Sequence, residues 1–138
     1  MSDLTVTATD VAPVEVFEQW TGPAAETFDA GEMVRIDTSA GTVTPANATG
    51  GAEARTFGMV MNTADFIGDT VTVVKRGVVD VGDALDGLDW DAAVYLSNTD
   101  GGLGTAAGTT TLIVGRVVPS WGATTADKLL HLDVRGDL

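Results

Sequence analysis

The chain contains no cysteine, which excludes disulfides and thiolate metal sites and leaves no redox signature of its compartment. Histidine is nearly absent: only His131 is present, and it alternates out of phase with Leu130 and Leu132 in "KLLHLDV" (128–134). With no serine or cysteine nucleophile motif beside it, that position reads as a solvated or rim site rather than a catalytic base. Ser2, Ser39, Ser97 and Ser120 stand in terminal or turn-like contexts, none within G-x-S-x-G. No glycine-rich phosphate loop opens a helix, so nucleotide binding is not expected. The opening "MSDLTVTATD" lacks a basic and an apolar region, so no signal peptide is expected. No apolar run approaches the roughly 18 residues of a membrane span, and a soluble protein without membrane contact is expected. Helical periodicity is missing as well.

Acid dominates what is there. Twenty acidic residues, fifteen of them Asp, stand against seven basic ones in 138 residues, for a net charge of −13. Such a surface repels phosphate backbones, so no nucleic-acid partner is expected. The composition suits a salt-rich habitat and a GC-rich coding sequence equally well.

Short alternating runs recur between Gly, Asn and Asp, the pattern of strands and turns. "EMVRID" (32–37) and "DTVTVV" (69–74) alternate, whereas "TFGMVMN" (56–62) and "TTLIVGRVV" (110–118) are more continuously apolar, as in strands buried on both faces. "KRG" (75–77) interrupts the phase before "VVDV", which predicts a β-bulge or corner. The fold class is all-β, a small barrel or sandwich. Two stretches resemble each other at an offset of 60: Val34 with Val94, Ile36 with Leu96, Gly41 with Gly101, Val43 with Leu103 and Ala46 with Ala106. After a slip of three, "GMV" (58–60) matches "GRV" (115–117). Whether an internal repeat or two Gly-rich hairpins of one kind, these stretches read as scaffold, expected to pack face to face or close one barrel. Residues 1–27 differ. Pro13 and Pro23 flank Val14, Val16, Phe17 and Trp20, which reads as an extended arm or edge element before a domain over 28–138.

The acidic stretch "DVGDALDGLDWDA" (80–92) offers oxygen ligands of the kind that Ca²⁺ or Mg²⁺ takes, yet it departs from the EF-hand order and lacks its closing Glu. It reads as a solvated loop, with no metal and no cofactor expected. Lys75 and Arg76 form a basic pair at the interruption, either a surface ion pair or a contact for an acidic partner. With a single histidine, a cupin-like metalloenzyme is not expected.

Three segments together, "DAGEMVRIDTSAGTVTPA" (29–46), "GDTVTVVKRGVVDVGDAL" (68–85) and "DAAVYLSNTDGGLGT" (91–105), resemble the capsid decoration (cement) proteins of tailed viruses. These include the lambda-type head decoration proteins and a widespread related phage group. Ala30-Gly31 and Val34 match the family's start. Val74 with Gly77-Val78 matches its central strand, and Ala93-Val94-Tyr95 with Gly101 and Thr105 matches its hairpin. "LIVGRVV" (112–118) and "LLHLDV" (129–134) resemble its last two strands.

The resemblance implies a β-tulip-like domain without enzymatic activity, sitting as a homotrimer on the outer capsid surface of a virion after synthesis in the host cytoplasm. The implied partner is the major capsid protein, met by an N-terminal arm whose anchors are expected at Val14, Val16, Phe17 and Trp20. Trp90 and Trp121 are the expected oligomer contacts. The alternative is a β-sandwich module of a viral fibre that binds carbohydrate or a host surface, with Trp20, Trp90 and Trp121 as a stacking platform.

Overall fold

Valine and threonine alternate through most of the predicted strands, and β-branched side chains favour a pleated, half-buried surface. The computed structural model describes residues 3–119 and 128–134, and apart from one 3-10 turn (Ala8–Asp10) its regular structure is all strand. The strands are β1 (Val11–Pro23), β2 (Met33–Ile36), β3 (Val43–Pro45), β4 (Gly58–Val60) and β5 (Thr70–Val81). They continue as β6 (Ala93–Leu96), β7 (Leu103–Gly104), β8 (Ile113–Pro119) and β9 (Lys128–Asp133). All pair antiparallel in one curled half-barrel sheet of order β3-β2-β4-β5-β9-β8-β6-β7, with β1 added along β5. The all-β barrel-like domain read from the sequence is the architecture found.

That order reads the same from either end. β2 lies between β3 and β4 as β6 lies between β7 and β8, and the registers coincide at the sequence offsets. Ile36 faces Val43 as Leu96 faces Leu103, and Val34 faces Gly58 as Val94 faces Gly115. Turn bonds repeat too: Gly31 N–H donates to Val60 O at 2.8 Å, and Asp91 N–H to Val117 O at 2.9 Å. Gly41 and Gly101 share a φ of 71°, a left-handed turn conformation that glycine adopts without steric cost. Gly58 and Gly115 are glycine for another reason. A Cβ there would strike the carbonyl oxygens of Val74 and His131, so the strands close only without side chains.

The side chains do not repeat. Met33, Met59 and Val74 point into the main core, where Val94, Leu96, Leu103, Val117, Leu130 and Leu132 also lie. Their neighbours Val34, Val60 and Val73 fill a second, smaller core with Ala24, Phe28, Val43, Ala64 and Val71. Val34 corresponds to Val94, and Val60 to Val117, so the halves turn opposite faces to the main core. Of the two expected arrangements, face-to-face packing gives way to one shared, curled barrel-like sheet, whose halves put non-equivalent faces into the main core. The surface of the second half equivalent to Met33 and Met59 is outward, at Ala93 and Arg116. The switch falls within β5. Val71 and Val73 enter the small core and Val74, Val79 and Val81 the main one, with the phase reset at the predicted "KRG" interruption.

The N-terminal residues are tied down. Leu4 N–H donates to Leu103 O at 2.8 Å, Leu4 and Val6 pack on the main core, and Asp3 accepts from Ser97 Oγ at 2.6 Å and Thr99 Oγ1 at 2.7 Å. Those hydroxyls hold the Asp3 carboxyl below the usual carboxylate range. The segment then reaches the far end of β5, where Val11 meets Val81 and β1 begins.

Candidate functional site

β1 is a regular strand that buries almost nothing. Ten successive residues, 12–21, are exposed, so both of its faces stand clear of the core while its backbone pairs with β5. Its pairing is interrupted three times. Pro13 and Glu15 face the consecutive residues Val79 and Val78, so Val14 is an extra residue in β1; Phe17 is likewise extra between Val16 and Glu18. The third irregularity has the opposite sense. Glu18 and Gln19 face Arg76 and Val74, which leaves Lys75 as the extra residue of β5. Bulges re-aim side chains. Phe17 is 55% exposed, and Val14 and Val16 are exposed beside it. Trp20 is held differently: its ring meets that of Phe57 edge-on, with centroids 5.4 Å apart at 75°. The four residues expected as anchors thus lie on one strand, along β5 of their own domain.

Sequence reasoning passed over Phe66 and Ile67, the two most exposed large apolar residues among the described ones, at 73% and 76%. They cap a fixed turn. Asp69 accepts from the Asp65 and Phe66 N–H groups at 3.0 Å each, Asp69 N–H returns to Phe66 O, and beside it Ala24 N–H donates to Asp69 O while Gly68 N–H donates to Ala24 O. The signal was present as "DFIGD", two large apolar residues inside a turn closed by Asp and Gly. The turn adjoins the end of β1, where Pro23 pairs with Thr70.

Trp90 is also exposed, with the Lys128 ammonium 5.2 Å from its ring centroid. Trp20 and Trp90 thus have separate partners, and Trp121 lies outside the described residues. The acidic stretch is a series of turns hooked to the main core by fully buried Leu85, and Asp83, Asp86 and Asp89 are exposed. Lys128 Nζ donates to the carbonyl oxygens of Asp86 and Leu88. Among the described residues, no three His, Cys, Asp or Glu side chains converge as a metal would require. His131 is half-buried on β9, between Val78 of β5 and Arg116 of β8.

One carboxyl is strained electrostatically. Burial pushes Glu32 above its usual value, against a 2.7 Å hydrogen bond from Asp29 N–H, and the charges of Asp29, Glu26 and Asp100 push the same way as burial. The arrangement as a whole presents exposed apolar side chains on hydrogen-bonded supports: an edge strand and a braced turn. No family model matches the chain, and no curated protein matches it.

Proposed function

We propose that the protein decorates the outer surface of an icosahedral virus head as a homotrimer, binding the major capsid protein and reinforcing the shell against internal pressure. The observation that carries this reading is β1. A strand with ten successive exposed residues, held in place along one edge, offers unused backbone donors and acceptors to a partner strand and apolar side chains to its pockets. Phe17 and the neighbouring Phe66–Ile67 turn act as anchors, and aromatic anchors contribute roughly 2 kcal/mol or more each when fully buried. The resemblance carried by Ala30-Gly31, Val74, Gly77-Val78 and Ala93-Val94-Tyr95 supports the same partner. Trp90, exposed at the end of the acidic turns, is the protomer contact within this reading.

The test assembles shells from the major capsid protein of a tailed virus that encodes this chain and adds the purified protein. Decoration in threefold clusters, lost in Phe17→Asp and Phe66→Asp proteins that keep their β-sheet circular dichroism, is the expected result. A bare shell with the wild-type protein, or normal decoration by both variants, overturns the reading.

A further inference from the structure

The protein has few cations, and the described ones divide sharply. Arg76 pairs with Asp133 at 3.6 Å, Arg116 with Asp91 at 3.9 Å, and Lys128 is held by backbone carbonyls. The other three, Arg35, Arg55 and Lys75, form no ion pair among the described residues. All three line one pocket of about 290 Å³ with Ile36, Thr38, Ala52, Thr56 and Phe57. In a chain where acids outnumber bases 20 to 7, three free cations in one place run against the statistics of the surface.

The geometry keeps them free. Arg35 Nε is buried and meets no acceptor, although an unmatched buried donor on a charged group is costly. The nearest acid along the chain, Asp37, turns its carboxylate to the Ser39 and Ala40 N–H groups at 2.8 and 3.1 Å and feels Arg35 only as a lesser charge, without an ion pair. Lys75, the residue displaced by the bulge in β5, sits 5.2 Å from the Phe57 ring centroid. Phe57 in turn carries Trp20 of β1, so the pocket adjoins the exposed strand.

We propose that this pocket binds a carboxylate side chain on an acidic segment of a partner polypeptide. Planar guanidinium groups match carboxylates, the ammonium adds a point charge, and Phe57 and Ile36 supply apolar contact for the methylenes of an acidic side chain. Nucleic-acid phosphates are disfavoured by the net charge of −13, which acts on a whole polyanion more than on one short segment. The inference is independent of the capsid reading, because it is tested without a shell.

The experiment titrates the full-length, ¹⁵N-labelled protein with an acetylated Asp/Glu hexapeptide, following the Arg35 Nε–Hε resonance. A saturable shift is expected, weakening as salt rises. Affinity should fall about tenfold in Arg55→Gln and in Lys75→Gln, as for loss of one charge-assisted contact. An Asn/Gln hexapeptide should be silent. Arg55 is exposed, so its variant remains informative even if Arg35→Gln fails to fold. No shift at millimolar peptide overturns the proposal. So does inorganic phosphate binding as tightly as the peptide, which makes the site a small-oxyanion pocket. Self-association abolished by the same substitutions, without a peptide response, assigns the pocket to a second copy and also overturns it.

Discussion

The half-sheet β2–β5 and the half-sheet β6–β9 share a backbone plan but not a role. Register, turn bonds and the close glycines coincide, yet the features proposed to face a partner gather on the first half. β1 runs along β5, the Phe66–Ile67 turn precedes β5, and the basic pocket lies between β2 and β5. Where the first half has Arg35, Phe57 and Lys75, the offsets place Tyr95, Val114 and Leu132 in the second. Val114 and Leu132 are main-core residues. The second half uses these positions for packing, whereas the first places them around an outward pocket. Turning opposite faces to the main core permits this, since it leaves the two units with different surfaces to cover.

The sharpest way to break the comparison is at the shared glycines. Gly58→Val and Gly115→Val should each destabilise by about 3 kcal/mol or more, because the new side chain meets backbone rather than a movable group. Chemical denaturation of both variants reads this, and losses of similar size are expected. A harmless substitution at either position would show that the two closures are not equivalent. Next come the faces. Met33→Ala and Met59→Ala empty the main core and should cost about 2–4 kcal/mol, whereas Arg116→Ala, at the counterpart of Met59, should stay within about 0.5 kcal/mol. Equal costs would contradict the burial of opposite faces in the two halves.

Asp69→Ala removes the acceptor that closes the Phe66–Ile67 turn and should cost about 1 kcal/mol, with faster amide exchange at residues 65–68. The smallest effect is a pH signature. The folded-state pKa of Glu32 is raised above the ordinary 4.5, so its ionised form is penalised at neutral pH and the penalty fades as pH falls through the raised value. Glu32→Gln should therefore stabilise by a few tenths of a kcal/mol at pH 7, since water screens this half-exposed group, and by nothing below the carboxyl range. Thermal melts at the two pH values check it.

Much of this fold could be read from the sequence because the period-2 pattern and the Gly turns are local signals. The strand segments, the phase reset at 75–77 and the offset pairs all follow from residue order alone. What the pattern did not carry was facing. Val34 and Val94 look alike in sequence, and only the reversal inside β5 sends them to different cores. The site was legible in part for the same reason. Val14, Val16, Phe17 and Trp20 stood out as apolar residues between prolines, but their lying along β5 depends on pairing across more than fifty residues. Arg35, Arg55 and Lys75 are far apart in the chain, so no spacing rule brings them together. Phe66 and Ile67 were visible as a turn with apolar residues, and a turn reads as a connector until its exposure is known.

The central claim is that the partner-facing surface belongs to β1 and its adjoining turn. Amide hydrogen exchange of the full-length protein, free and on assembled capsid shells, tests it directly. Binding should slow exchange at residues 12–21 and 65–68 and leave β6, β7 and β8 unchanged. Protection confined to those three strands, with β1 exchanging as freely on the shell as in solution, would contradict the account.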